Sequence, residues 1–549
     1  MKIQETDVEQ KQEIKVKANV VVALLLGCFF LFGVAKTQAV DSVSFVVAKA
    51  RMDDSVVRSF SFADTVYPSV GLLKYRVDVF DTVTDGTPSS FTDLYNDAPG
   101  IFTFRGNGFR EAPFVGYVEG RPDTVSVDWI FSTAYDGRVT DYGVWGGGSG
   151  WSGQPLYVCW PDSMAQRFRD ESPALTRAFS TEEIIVGSLA SRIYFIDFAT
   201  GDSSRRSLPT DNTIKGTISL DPTLNGNLYV GQGIPCTQRF GALTFNLFKH
   251  KRTHFFGRDR SAWRGWGAYD SSPLRVGDFL FRPSENGTLY KFLIVGDSLR
   301  LHSTLRFKKA NSRNAAGMEA SLSFYHNRGF VSDNHGNVVC FNLATMQPIW
   351  CYYNHDDSDG SPVLSVEEGH PFLYTACEVD KQGSHGKCYF VKLDAEDGSL
   401  VWEQTFDCRR AVVGKQTFDG GQFATPLIGL GNCDGLIFSN IVTNDGPGLK
   451  GDFVAMSRKD GRILYRTKLH HYAWSSPVAL LNDEGEMYVF TADTQGRVYL
   501  IDALSGKIIF TKRIGANFES SPIVVDNHIV LGSRGRKIYK MSIVSRSPR

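Results

Sequence analysis

The chain has 549 residues, and its 59 Lys and Arg balance 59 Asp and Glu, so no overall charge draws it to nucleic acid or to an anionic surface. Aromatic residues make up 13% of it and glycines number 53, while long amphipathic helical patterns are scarce, which favours an all-β protein with many tight turns. Its nine cysteines contain no CxxC pair, which removes zinc-ribbon and haem-attachment readings.

The first element is the apolar run from Ala18 to Ala35, in which Asn19 is the one polar side chain and which Lys17 and Lys36 bound. Its length is close to the ~20 residues that cross a bilayer core. Lys2, Lys11, Lys15 and Lys17 precede it, so residues 1–17 are expected in the cytoplasm and everything after Lys36 outside it, in the periplasm or the extracellular space. Three fates compete for residues 18–35: an uncleaved membrane anchor, a signal peptide cut near Thr37-Gln38-Ala39 that would release a secreted form, or a lipoprotein signal at Cys28. The last fits worst because Phe29, Phe30, Leu31 and Phe32 continue the apolar region past the cysteine, and the anchor is favoured.

Residues 36–123 read as a linker and wrapping segment. Alternation at Val43-Phe45-Val47 and Tyr75-Val77-Val79 suggests strands packed on the main body, and the stretch from Asp85 to Pro99 is rich in Gly, Ser, Pro and Asp. Residues 125–132 form a strand with its own tryptophan, Trp129, and no hairpin partner nearby.

From about residue 150 one pattern recurs: a small-residue anchor, then three short strands, a tight turn and a fourth strand. The anchors are Gln154-Pro155, Thr217, Ser272-Pro273, Ser321-Leu322, Ser361-Pro362, Thr425-Pro426, Ser476-Pro477 and Ser521-Pro522. Eight anchors predict eight four-stranded antiparallel blades of a β-propeller over residues 124–549. The third and fourth strands recur in Ile196 to Gly201, Phe341 to Thr345, Leu393 to Trp402, Met456 to Tyr465 and Ile501 to Phe510. In these an Asp or Asn caps the turn, Gly takes its positive φ, and an aromatic residue follows.

This repeat resembles that of the pyrroloquinoline-quinone-like propellers, in which a strand ends in aspartate, a Thr-Gly or Asp-Gly turn follows and a docking tryptophan closes the blade. Phe104-Arg105-Gly106-Asn107-Gly108-Phe109-Arg110 is similar to the lead-in of that family and reads as part of the wrapping segment. The docking aromatic is eroded, with Trp350 and Trp402 kept but Tyr465 and Phe510 elsewhere, as in a divergent member. The last repeat lacks a fourth strand, so residues 125–132 are expected to pair with the chain's tail and close the ring.

Two positions before each anchor stand Ser152, Lys215, Asp270, Glu319, Asp359, Phe423, Trp474 and Glu519, which should ring one mouth of the central channel. Acids and a lysine there could hold a cation or a polar ligand, with Trp474 as a stacking surface, although solvated charges at a wet channel mouth would explain the same composition. Ahead of Asp270, Arg258, Arg260, Trp263, Arg264 and Trp266 suit a protein interface or an anionic partner, or a loop held by cation-π stacking. Export makes disulfides possible, and Cys340 with Cys351 and Cys377 with Cys388 flank turns at which each pair could bond.

The resemblance also implies a quinoprotein alternative, with pyrroloquinoline quinone stacked between a tryptophan and a vicinal disulfide beside calcium held by Glu, Asn and Asp. No adjacent cysteines and no matching ligand set occur here. Nor is there a Ser-His-Asp arrangement or a metal-spaced His cluster, so no catalytic or metal-ligating residue is assigned and no cofactor is expected. The favoured reading is a non-catalytic propeller serving as a protein-interaction or scaffold module in the cell envelope, by analogy with the family's outer-membrane assembly lipoprotein. The alternative is a quinone-dependent dehydrogenase or ligand sensor using the acidic ring.

Overall fold

The computed structural model describes residues 62–83, 95–96, 98–151, 153–446 and 448–546, which lie in the second of the chain's two units, Lys49–Arg549. The apolar run at 18–35, the Val43-Phe45-Val47 alternation and most of the stretch from 85 to 99 fall outside the described residues. No helix among the described residues is long and apolar enough to cross a membrane.

Eight sheets follow one another in chain order: blade 1 (156–209), blade 2 (219–256), blade 3 (274–309), blade 4 (323–353), blade 5 (363–409), blade 6 (427–468), blade 7 (478–513) and blade 8 (523–546 with 121–132). The expected closure is present. Arg121–Ser132 pairs antiparallel with Lys537–Arg546, from Arg121 opposite Arg546 to Ser132 opposite Lys537.

The four-stranded plan has additions. Leu73–Val79, read from its alternation, is a fifth, antiparallel strand against Ser298–Lys309 of blade 3. Gly100–Ile101 joins blade 1, and Phe114–Val115 pairs in parallel with the inner strand of blade 8.

Strand alternation buries both faces of each blade, because every sheet is packed between two others. In blade 3, for example, Leu280 packs with Tyr229 of blade 2, while Phe279 and Phe281 pack with Phe324 and Val339 of blade 4. Around the ring, aromatic side chains dock on the turn of the next blade. Trp350 donates from Nε1 to Ala395 O, Trp402 to Arg458 O and Trp129 to Phe198 O, and the Tyr465 hydroxyl donates to Ala503 O. The receiving turns need glycine twice over. At Gly201 (φ 77°) and Gly398 (φ 76°) the backbone is left-handed, and a Cβ would sit 2.6 Å from the docked indole. Trp129 thus seals blade 8 onto blade 1 as Trp350 seals blade 4 onto blade 5.

The anchors form a belt at the centre. The N–H of Gln154 donates to Thr217 Oγ1, Ser272 to Ser321 Oγ, Ser321 to Ser361 Oγ, Ser361 to Thr425 Oγ1, Thr425 to Ser476 Oγ and Ser476 to Ser521 Oγ, and Ser521 N–H reaches Gly153 O. The recurrence of Ser or Thr at these positions therefore has a physical cause: the hydroxyls of Thr217, Ser321, Ser361, Thr425, Ser476 and Ser521 each satisfy the N–H of the preceding anchor, and Ser272 Oγ that of Phe104.

The Phe104-to-Arg110 segment, read as part of the wrapping segment, lies against the inner strands of several blades. Leu220 N–H donates to Phe102 O, Phe324 to Gly108 O, Leu364 to Phe109 O and Val524 to Pro113 O. Arg105 and Arg110 are fully buried there. Arg105 Nη1 donates to Pro477 O at 2.8 Å, and Arg110 donates to Leu322 O at 2.8 Å and to Phe104 O at 2.6 Å.

The proposed Cys340–Cys351 disulfide fails on register. Cys340 lies opposite Trp350 and Cys351 opposite Val339, one residue away from facing each other. Cys340 therefore joins the core between blades 4 and 5, and Cys351 the core between blades 3 and 4. Cys377 and Cys388 are buried free thiols; Cys377 Sγ accepts Tyr389 N–H at 3.3 Å, and burial pushes its thiol up to about 12.

Candidate functional site

Where the inner strands begin, the residues two positions before the anchors converge on one small cavity. Asp270, Glu319, Asp359, Phe423 and Trp474 line it together with Trp151. Five blades thus each contribute one side chain because the repeat returns its chain to the axis once per blade. Lys215 is ion-paired with Asp270, and its ammonium lies 4.2 Å from the ring centre of Trp151. Trp151 Nε1 donates to Glu319 Oε2 at 3.2 Å, and Trp151 and Trp474 stack edge to face at 5.2 Å. Ser152 lies outside the described residues.

Two groups of carboxylates meet here. Oxygens of Asp270, Glu285 and Glu319 lie within 4.8 Å of one another, as do those of Asp357, Asp359 and Glu378. Glu285 Oε2 accepts Trp266 Nε1 at 2.7 Å, but its Oε1, Asp270 Oδ1, Asp357 Oδ1 and Glu378 Oε1 are buried without a hydrogen bond. Such crowding in a dry site disfavours charge. Burial, then the neighbouring carboxylates, raises Glu285, Asp359 and Glu378 well above the ordinary carboxyl range. Asp357 is pushed up to about 7 by burial, with Lys381 opposing and Glu319 and Asp380 adding to the shift. Burial works against the charge on Lys215, yet Asp270, Glu319 and Glu285 outweigh it and hold the ammonium above its usual value.

The sequence ring is thus assembled in most of its members, with one exception and three additions. Glu519 stands apart, ion-paired with Arg534 at 3.0 Å and accepting a hydrogen bond from Asn517 Nδ2 at 2.6 Å. Glu285, Asp357 and Glu378 were missed. The signal for Glu285 lies in the loop after the second strand, where Ser284-Glu285-Asn286-Gly287 parallels Asp333-Asn334-His335-Gly336 and Asp493-Thr494-Gln495-Gly496.

Trp266 and Arg264 turn inward to the Glu285 loop, with Arg264 Nη1 donating to Glu285 O at 3.2 Å, Trp263 lies 5.9 Å from the Lys308 ammonium, and Arg258 and Arg260 are exposed.

Two hairpins rise beside the mouth. One, Asp136–Thr140 with Gly143–Gly146, leads from blade 8 to blade 1 and touches the mouth through Trp145 against Trp151 at 6.4 Å. The other, Ala411–Val413 with Gln416–Phe418, leads from blade 5 to blade 6, and its Ala411 and Phe418 pack against Val442, Leu449 and Tyr472, the same cluster that Phe423 and Trp474 cover. Val139 is 83% exposed, Val412 71% and Tyr142 53%.

A family model described as outer membrane protein assembly factor BamB matches residues 449–547. No curated protein sequence matches the chain. Among solved structures, a europium-containing methanol dehydrogenase aligns with TM-score 0.57 and 12% identity, over 82% of this chain and 99% of that one. The quinohemoprotein alcohol dehydrogenase from Comamonas testosteroni aligns with TM-score 0.54 and 12% identity, over 83% and 82%. BamB from Moraxella catarrhalis gives 0.47 and 14%, over 68% and 96%. At such identities the likeness speaks for fold alone. Taken with the eight sheets, it places the chain among eight-bladed β-propellers, and its turn-and-tryptophan repeat is similar to that of the pyrroloquinoline-quinone-like type.

Proposed function

We propose that the chain is a non-catalytic interaction module working outside the cytoplasm, in which the two hairpins hold a protein partner and the acidic mouth takes up the partner's positive charge. The observation that carries this reading is the placement of exposed Val139, Tyr142 and Val412 on hairpins next to a cluster of partly orphaned carboxylates. Apolar anchors near a charged depression are the elements of a specific protein contact. Placement outside the cytoplasm rests on the lysine-flanked apolar run, and membrane attachment through that run is part of the proposal. An envelope or outer-membrane assembly role, which the partial match to a BamB-type model supports, would be one setting for it.

The quinone-dependent alternative is weaker on space. The mouth cavity leaves ≈ 20 Å³ for water-sized groups. That admits one water or ion, which needs about 10–15 Å³, and not a ring system, for which pockets run to about 300 Å³ or more. The donor chemistry does fit a hard cation such as calcium, which Asp357, Asp359 and Glu378, or Asp270, Glu285 and Glu319, would hold through oxygen.

Photo-crosslinkers placed at Tyr142 and at Val412 in intact cells test the module. One common protein should be captured from both sites, and capture should fall at least tenfold with Val139→Asp or with the pair Asp359→Asn and Glu378→Gln. Capture that ignores these substitutions, or dye reduction with added pyrroloquinoline quinone and calcium that Asp270→Asn or Glu319→Gln abolishes, would overturn it in favour of the dehydrogenase.

A further inference from the structure

Between blades 2 and 3 lies a polar site of the opposite sign. Arg282 ends the strand Phe279–Arg282, and alternation turns it, with Leu280, towards blade 2. Its cross-strand neighbour Tyr290 faces the same way, and so does Thr288, two residues before Tyr290. From blade 2, Tyr229, Thr244 and His254 form one row across three strands, and Tyr229 packs with Tyr269 and Tyr290 in the shared core. The row therefore looks onto Arg282.

Arg282 is fully buried, and none of its three guanidinium nitrogens has a hydrogen-bond partner. Its guanidinium carbon is 5.6 Å from the ring centre of Tyr269. The Tyr269, Thr244 and Thr288 hydroxyls and His254 Nε2 are also buried without partners, while His254 Nδ1 meets Ser298 Oγ at 3.1 Å. Among the described residues the ionisable groups that face Arg282 are the phenols of Tyr269 and Tyr229, neutral near pH 7, and no carboxylate faces it. The acids of this region are committed elsewhere: Asp221 accepts from Tyr229 and Arg275, and Asp259 from Tyr290 and Arg306.

Burial lowers the arginine to about 10, which still leaves it charged at neutral pH. A buried cation with neither a counter-charge nor an acceptor is destabilising by several kcal/mol. Arg105 and Arg110 show how this chain otherwise handles the problem, since both lean on backbone carbonyls. Arg282 has no such acceptor. Water would satisfy its donors and leave its charge uncompensated, whereas an anion does both. Its surroundings are donors as well: three hydroxyls and a histidine whose pKa burial and then Arg282 lower, so that it is neutral and can present Nε2–H.

We propose that a monovalent inorganic anion of halide size binds between blades 2 and 3, held by Arg282 and by the donors of Tyr269, Thr244, Thr288 and His254. The site is independent of the channel mouth and of its proposed partner. Bromide is the probe. In the full-length protein, thermal unfolding is followed while bromide replaces gluconate at constant ionic strength, and crystals soaked in bromide are measured for anomalous scattering. The unfolding temperature should rise and saturate, an anomalous peak should stand beside the Arg282 guanidinium, and Arg282→Gln should remove both. Tyr269→Phe, which keeps the ring and deletes one donor, should weaken the bromide midpoint roughly tenfold. A rise of equal size in Arg282→Gln, or crystals with no peak between these blades, overturns the proposal. Should Arg282→Gln not fold, an unchanged midpoint in Tyr269→Phe overturns it equally.

Discussion

The two ends of the central channel are made from the same repeat and handle buried charge in opposite ways. At the anchor end the lead-in brings Arg105 and Arg110 into the middle of the ring, where no carboxylate among the described residues meets them, but Pro477 O, Pro426 O, Leu322 O and Phe104 O accept hydrogen bonds from them. At the other end carboxylates gather, and several of their oxygens find no donor. Charge at the first end is spent on tying blades together; charge at the second is left over. The contrast separates what the ring needs to stay closed from what it holds available for a ligand.

Breaking the closed end should have the largest effect. Arg110→Met removes a charged donor from Leu322 O at the start of blade 4 and from Phe104 O and Thr103 Oγ1 within the lead-in. A loss of ~3 kcal/mol or more is expected in urea unfolding, since each buried acceptor left unpaired costs about 1–3 kcal/mol. Partner capture at the mouth, normalised to folded protein, should not change. A loss under about 1 kcal/mol would mean that the lead-in is a passenger and that the belt of anchor hydroxyls holds the ring alone.

Most of this architecture was legible in the chain. Eight Ser-, Thr- or Gln-type anchors counted the blades, the strand at 125–132 found its partner in the tail, and counting back two positions from each anchor named Asp270, Glu319, Asp359, Phe423 and Trp474 together. These succeed because a strand period and a blade period fix direction. The failures have a common cause in contacts made at a distance. Two arginines in a glycine-rich segment look solvated until the carbonyls of Pro477 and Leu322, more than 200 residues away, are known to surround them. Glu378 follows the second strand of blade 5, where nothing local says that it faces Asp359. The cysteines failed by one residue, because a turn centre judged from sequence sets Cys340 against Cys351 while the observed register sets it against Trp350.

The open end should betray its crowding through pH. Asp357, Asp359, Glu285 and Glu378 all titrate higher in the folded protein than in the unfolded chain, so the folded state holds the extra protons. Their contribution to stability is fully present at low pH, fades above the unfolded value of 3.8 for Asp357 and is lost as pH passes its folded value of about 7. This slope is opposite to that of salt-bridged carboxylates. Calorimetry between weakly acidic and weakly alkaline pH should show the unfolding temperature falling by several degrees, with the fall reduced in the double variant Asp357→Asn, Asp359→Asn. Millimolar calcium should flatten it in the unaltered protein by supplying the missing charge. A flat profile without calcium would mean that Lys215 and Lys381 already balance the site.

The smallest effect sharpens the comparison most, because it should help stability while harming binding. Glu285→Gln keeps an oxygen for Trp266 Nε1, now 2.7 Å from Glu285 Oε2, and turns a carboxylate facing Asp270 and Glu319 into an amide that can donate to either. Repulsion is exchanged for a hydrogen bond, so a gain of up to ~1 kcal/mol is expected. The gain should be larger at alkaline pH, where the glutamate would otherwise be forced to ionise, and small at acidic pH, where it already carries a proton. Glu285→Ala, by contrast, leaves the Trp266 indole without its acceptor and should not stabilise. If the amide stabilises and also weakens calcium binding or partner capture, the leftover charge belongs to the ligand. If it destabilises, Glu285 is a structural brace for Trp266 and the leftover charge shrinks to the group of Asp357, Asp359 and Glu378.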